Sequence, residues 1–293
     1  MQPMHFCTAS TGRGWDFLRL TKPRLGLLVL FATAVGFCMA SGGKIDWHRL
    51  AFALLGTALV SGGAAVFNQV IEMRWDRLMA RTRIRPLPSG RVTRPEAFVL
   101  GVGMTLAGLA CLALQTTVFA TCLAAVALVV YLAAYTPMKR HSSACVLAGA
   151  IAGALPPVIG WAAVDGALRW ETGMLFGVLF TWQIPHLVAI AWIHCDDYAN
   201  GGFVFFSADA SGQSPALHGL IFSGILTGIT LSPFFMGTAG TVYLIGALFL
   251  DSVLLASAGL FLLMRSKEAA RRLFAVSIIY LPAFLTLLLF AWK

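Results

Sequence analysis

The run Asn68-Gln-Val-Ile-Glu72-Met-Arg-Trp-Asp76-Arg-Leu-Met-Ala-Arg81-Thr-Arg-Ile-Arg85-Pro-Leu-Pro-Ser-Gly90-Arg-Val-Thr-Arg94 is the only long polar stretch in the first half of the chain. Asn68, Glu72 and Asp76 recur every fourth residue, so on a helix they form one oxygen-bearing stripe that drifts by only about 40° per step. Seven arginines interleave with the stripe or follow it. Carboxylates beside a crowd of guanidinium groups make a place for a polyanion held partly through a hard metal ion. Pro86, Pro88 and Gly90 stop the helix and turn the chain back.

Everything around this stretch is apolar. Of the 293 residues, 59% are hydrophobic and 11% charged, a balance that the surface of a water-soluble domain of this length does not tolerate. The apolar residues fall into nine segments, near 24–40, 50–72, 96–114, 118–135, 145–163, 172–195, 217–235, 241–264 and 272–291. Each is long enough to cross a hydrocarbon core of about 30 Å as a helix. The short alternating strands of a β-barrel are missing. The expected fold is therefore all-α and integral to the membrane: nine transmembrane helices forming a single polytopic domain over 1–293 with a polar segment at 1–23.

A net charge of +9 invites a nucleic-acid reading, but the basic residues sit in short gaps between apolar segments and not on a soluble face. They read instead as topology signals, with the lipid bilayer as the partner and no nucleic acid. Lys22 and Arg24 flank the first apolar segment and put the N-terminus on the cytoplasmic side. The loops 73–95, 136–144, 196–216 and 265–271 then share that side, and three of the four carry Lys or Arg. A cleaved signal peptide ending near Met39-Ala40-Ser41 is the alternative, but it would reverse the charge pattern of all later loops. The start of the chain has few features of a transit peptide, which favours a bacterial inner membrane over a mitochondrial one. The six cysteines are scattered with no CxxC pair, which reads as reduced apolar residues.

The loop 196–216 is the exception to the charge rule: it holds Asp196, Asp197 and Asp209 and no Lys or Arg. Its carboxylates are either metal ligands or part of a solvated polar loop. The second and sixth segments, four apart, each end in carboxylates and lead into a long loop. Two four-helix halves plus a ninth helix would bring both acidic ends to one cavity.

Carboxylates at the mouth of an apolar helix are costly unless paired or bound to metal. Oxygen ligands that leave positions for water and phosphate suit Mg²⁺. Pairing of Glu72 and Asp76 with nearby arginines is the competing reading. Arg77, Arg81, Arg83 and Arg85, with Lys139 and Arg140, are the natural holders of a diphosphate, while Arg91 and Arg94 read as topology charges. On the sixth segment His186, Ile190, His194 and Asp197 follow a helical face towards the acidic end. A histidine there either ligates a metal or haem iron, exchanges a proton, or hydrogen-bonds a neighbouring helix. Asp251, inside the eighth segment, has no evident partner.

Taken together these residues resemble a known set. The stripe Asn68-xxx-Glu72-xxx-Asp76 is similar to the Asn-xxx-Asp-xxx-Asp signature of the UbiA superfamily of intramembrane prenyltransferases, with Glu in the second place. Leu20-Thr-Lys-Pro-Arg24, Asp76 through Pro88, Tyr135-Thr-Pro-Met-Lys-Arg140, Gly153 through Trp161, Trp182-Gln-Ile-Pro-His186, Asp197-Tyr-Ala-Asn-Gly-Gly-Phe203 and Ser277-Ile-Ile-Tyr-Leu281 resemble its haem-directed branch, in order and over nearly the whole chain. The resemblance implies transfer of a farnesyl group from farnesyl diphosphate to a vinyl group of haem B with Mg²⁺. A haem A synthase or a terminal oxidase under assembly would be a downstream partner. It implies Asn68, Glu72 and Asp76 as the first metal-diphosphate site, with Asp197 and the adjacent Asp196 as the second. Arg77, Arg81, Lys139 and Arg140 would hold diphosphate oxygens, and His186 would contact haem. Two departures stand out: Gly201 occupies the place of the superfamily's last carboxylate, and Phe203-Val-Phe-Phe-Ser207 differs from the corresponding run of bacterial relatives. A prenyltransferase acting on an aromatic quinone precursor is the near alternative, and a secondary transporter the distant one.

Overall fold

A computed structural model describes residues 12–204 and 211–292. The expectations for the first eleven residues, for Asp209 and for Phe205-Phe206-Ser207 lie outside the described residues. Among the described residues nine helices are long and apolar enough to cross a membrane. Most begin and end near where the hydropathy places them, and two of the earlier starts are set by caps. The Asp46 side chain accepts from Arg49 N–H, so the second span starts at Trp47, and the Ser266 hydroxyl accepts from Ala269 N–H, so the last starts at Lys267.

In chain order the helices are α1 (Arg13–Leu20), α2 (Pro23–Ala40), α3 (Trp47–Asp76), α4 (Arg94–Gln115), α5 (Val118–Val129), a π-helical turn (Val130–Tyr135), α6 (Thr136–Met138), α7 (Cys145–Asp165), α8 (Trp170–Ile193), α9 (Cys195–Asn200), α10 (Gln213–Phe235), α11 (Thr241–Met264) and α12 (Lys267–Ala291). α5, the π turn and α6 make one span, Val118–Met138. Pro137 has no N–H to donate to the preceding turn, and the helix widens just ahead of it.

With no hydrophobic drive between helices in lipid, close approach through small residues does the packing. α2 lies directly on α7 because Gly36 faces the Pro157 carbonyl and Gly160 faces the Thr33 carbonyl, where a Cβ on either glycine would overlap backbone. α3 packs on α4 in the same way, through Gly56 and Gly108. α8, α10, α11 and α12 pack into a second group whose core includes Trp182, Tyr243, Phe261, Tyr280 and Phe284. Asp251, buried within that group, accepts from the Thr230 hydroxyl at 2.7 Å and the Tyr280 hydroxyl at 2.5 Å, partners supplied by two other helices. The described cysteines are free.

The result is a multi-pass integral membrane protein. α3 is the longest span: its 30 residues reach about 45 Å, so its last turns carry the stripe beyond the apolar slab.

Candidate active site

A cavity of about 360 Å³ opens between α2, α3, the α5–α6 span, α7 and α8, and Leu281 of α12 completes its wall. Along α3 the lining includes Thr57, Val60, Ser61, Ala64 and Ala65, the one-face pattern of a helix. On α7 it runs from Gly149 to Ile159, ten helical steps and so about 15 Å of depth. The walls are small and apolar, with Tyr131, Tyr135, Trp182, Gln183 and His186 as the larger polar or aromatic members.

At the mouth stands the stripe. Asn68, Glu72 and Asp76 are all buried on the last turns of α3. Lys139, just past α6, donates to Glu72 at 2.7 Å, and its Nζ lies 4.2 Å from the centre of the Tyr135 ring. Burial pulls Lys139 down, but the Glu72 carboxylate, with Tyr131 and Tyr198 beside it, outweighs this and holds the ammonium above its ordinary value. Arg85 reaches back from the loop to Asp76 at 2.9 Å. The Asn68 amide donates to Thr136, whose hydroxyl donates to the Tyr131 carbonyl, so the π turn is tied to the stripe. Tyr131 and Tyr135 belong to the cavity wall as well, which joins cluster and cavity.

Lys22, a topology charge by its place in the sequence, is the fifth charged member of the cluster. It caps α2 in the left-handed region, at φ 51°, an unusual place for a side-chain-bearing residue. From there its Nζ reaches Asn68 Oδ1 at 3.3 Å and lines the cavity. Burial, followed by the nearby Arg85 and Lys139, brings its pKa down to about 7. Three cations thus share the pocket with two carboxylates, and Lys22 is short of negative charge. A dianionic group entering there would relieve it.

The structure draws in some of the expected residues and leaves others out. Of the expected diphosphate holders, Lys139 and Arg85 are in the cluster. Arg77 donates to the Pro88 carbonyl instead, Arg81 lies over the Tyr198 ring and 4.0 Å from Asp197, and Arg140 stacks on Trp75. Lys22, not expected there, takes an inner place as well. Arg91, expected as a surface charge, pairs with the buried Asp16 and ties α1 to the loop.

The second acidic end is arranged differently from the first. α8 stops at Ile193, His194 leaves helical geometry at ψ 23°, and α9 starts afresh, so Asp197 does not continue the face of His186. Both oxygens of Asp197 accept backbone N–H groups of the arginine loop, from Ala80 at 2.8 Å and Arg81 at 3.4 Å. Asp196 points away, with its side chain 81% exposed and on Lys267 at 2.6 Å. That ammonium holds Asp196 below the usual carboxylate range. At Gly201 a Cβ would lie 2.9 Å from Phe203 and 3.0 Å from Met79, so a side chain there would have to displace both.

Among the described residues no group of three or more His, Cys, Asp and Glu is disposed to hold a metal by itself. The stripe nevertheless fits a metal held jointly with phosphate. Asp76 Oδ1 is buried and has no hydrogen-bond partner, a costly condition for a carboxylate oxygen that a cation would end.

His186, deeper in the wall, is held between the Trp182 ring at 4.9 Å and the Phe274 ring at 5.0 Å, and its Nδ1 is 2.8 Å from the Ser277 hydroxyl.

Comparison with known proteins agrees with this architecture. The chain matches the model of the UbiA prenyltransferase family over residues 29–288. It is 40% identical over 279 residues to the protoheme IX farnesyltransferase of Koribacter versatilis (strain Ellin345), covering 91% of this chain and 90% of that protein. Among solved structures, a digeranylgeranylglyceryl phosphate synthase superposes with a TM-score of 0.80 at 16% identity, over 95% of this chain and 98% of the other. A UbiA homologue from Archaeoglobus fulgidus bound to DMAPP and Mg²⁺ superposes with a TM-score of 0.65 at 16% identity, over 93% and 98%. With nine candidate spans among the described residues, an apolar cavity between them and the Asn68/Glu72/Asp76 cluster at its mouth, the chain belongs to the UbiA prenyltransferase family.

Proposed function

We propose that this protein transfers a farnesyl group from farnesyl diphosphate to a vinyl group of haem B, giving a hydroxyethylfarnesyl haem. The observation that carries the reading is the cluster at the cavity mouth. Lys22, Arg85 and Lys139 surround two carboxylates, one of them with an unpartnered buried oxygen, above an apolar cavity about 15 Å deep. A chain of three isoprene units spans roughly 15 Å by ordinary carbon bond lengths, so the cavity suits a farnesyl tail below a diphosphate head.

In this reading Asn68, Glu72 and Asp76 would hold Mg²⁺ jointly with the diphosphate, and the ion would supply positive charge against the negative charge that grows on the leaving group as the allylic C–O bond breaks. Lys22 and Lys139 act on the same charge from opposite walls, and Arg85 positions Asp76 while lending its own. Asp197 closes the arginine loop over the mouth through Ala80 and Arg81, which keeps bulk water from the leaving group. The apolar walls shield the allylic cation from premature hydrolysis and align it with the vinyl carbon. The electron-rich vinyl group attacks, its other carbon takes up water, and one proton leaves. His186 contacts the haem.

The 40% identity to the Koribacter protein over most of both chains supports haem as acceptor. The A. fulgidus homologue with DMAPP and Mg²⁺ supports the metal-assisted diphosphate chemistry. The basic helix ends support a cytoplasmic mouth in a bacterial inner membrane. A haem A synthase or a terminal oxidase under assembly would receive the product. The test is to supply purified protein in lipid with Mg²⁺, haem B and farnesyl diphosphate and to analyse the haem by mass spectrometry. A haem carrying farnesyl and hydroxyl groups is expected. Turnover of farnesyl diphosphate only with an aromatic acid would overturn the reading.

A further inference from the structure

The geometry points to Ser277 as a positioning residue: it fixes His186 as the Nδ1–H tautomer and turns the Nε2 lone pair into the cavity, where it takes the haem iron. This rests on the haem reading of the site for the iron, but not for the tautomer.

Proton accounting fixes the tautomer. The Ser277 hydroxyl has one proton and two close partners, the Phe274 carbonyl at 2.7 Å and His186 Nδ1 at 2.8 Å. A carbonyl oxygen has no proton to give, so an O···O distance of 2.7 Å needs the hydroxyl proton between the two oxygens. Were that proton turned to Nδ1 instead, two lone-pair oxygens would face each other inside hydrogen-bond distance in a fully buried place. The proton on the second contact must therefore come from the imidazole. His186 is then Nδ1–H, and Nε2 carries the lone pair.

The surroundings hold the ring in that orientation. Trp182 stacks on one side with planes 21° apart, and Phe274 packs 32° from parallel. The Trp182 indole N–H donates to the Ser277 carbonyl at 2.8 Å, so one residue of α12 anchors both members of the α8 pair. Nε2 makes no hydrogen bond to any described residue, and His186 lines the cavity. A neutral imidazole whose far nitrogen is tied by a donated hydrogen bond is the arrangement that raises ligand basicity and fixes direction at metal sites. The metal it awaits lies at the centre of the acceptor.

Two measurements test this separately. In haem-free protein labelled with ¹⁵N-histidine, the His186 signals, identified by their loss in His186→Gln, are expected to show a protonated Nδ1 and an unprotonated Nε2. A protonated Nε2 would overturn the proposal whatever the function. In ferric haem B titrations followed at the Soret band, wild type is expected to show a nitrogen-ligated spectrum that His186→Gln loses. Ser277→Ala should weaken haem binding about 10–100-fold, with Ser277→Thr, which keeps the hydroxyl, recovering most of it. Farnesyl diphosphate binding should stay unchanged in the two Ser277 variants, whose side chain does not line the cavity. Wild-type affinity and spectrum in Ser277→Ala, alongside a loss in His186→Gln, would overturn the positioning role. If wild type with the expected tautomer shows no nitrogen-ligated spectrum, the iron part of the proposal and the haem reading fall together.

Discussion

At the end of α3, Asp76 gives one carboxylate oxygen to Arg85 and leaves the other buried without a partner; at the end of α8, Asp197 spends both oxygens on the backbone of the arginine loop, and Asp196 turns outward to Lys267. The two ends are both acidic and both border a long loop. They differ in what remains available. A carboxylate oxygen left unsatisfied among cations can bind a metal-diphosphate, whereas a carboxylate with both oxygens on backbone N–H groups can clamp a loop, here the one that delivers Arg85 to Asp76. In the proposed site one end offers ligands and the other holds the frame around them.

This contrast can be tested by substitution. The largest effect is expected for Asp76→Ala, which removes the unpartnered oxygen and strands Arg85; turnover should fall by roughly 10³-fold while the haem spectrum persists. Lys22→Met comes next, with a loss of roughly 10²-fold in kcat for removing one charge that faces the leaving group. An unchanged kcat would return Lys22 to the role of a topology residue. Asp197→Ala should act through the loop. KM for farnesyl diphosphate should rise by about 10-fold with a smaller change in kcat, because the charge-assisted hydrogen bonds that seat Ala80 and Arg81 are each worth about 1.5–3 kcal/mol. A kcat collapse as deep as that of Asp76→Ala would instead make Asp197 a second metal ligand. Asp196→Ala is expected to change activity by less than about twofold, since its ion pair with Lys267 is exposed to solvent.

The spans were legible because burial in lipid imposes a composition that no other fold needs. The segment expected near 50–72 and the helix Trp47–Asp76 differ at their ends because Asp46 caps the start, and because the stripe is polar yet still helical. Asn68, Glu72 and Asp76 were legible from a four-residue period. Their counterions were not. Which arginine of a run turns inward depends on how the loop folds back through Pro86, Pro88 and Gly90, the last at φ 79°, and that geometry picks Arg85 over Arg77 and Arg81. Lys22 was hidden for another reason: a lysine before the first span looks like a topology charge, and only its left-handed backbone directs it to Asn68. His186 was visible as an uncommon residue within a span. Its partner Ser277, 91 residues away, carries no such signal, since pairing between distant helices leaves no local pattern.

The most direct test is a metal-binding measurement that compares the two ends. Mn²⁺, as a paramagnetic stand-in for Mg²⁺, is titrated into purified protein in lipid with inorganic diphosphate and followed by electron paramagnetic resonance. Wild type and Asp196→Ala should both bind the ion in the presence of diphosphate, and Asp76→Ala should not. Wild-type Mn²⁺ binding in Asp76→Ala, or its loss in Asp196→Ala, would contradict the assignment of the metal-diphosphate site to the end of α3.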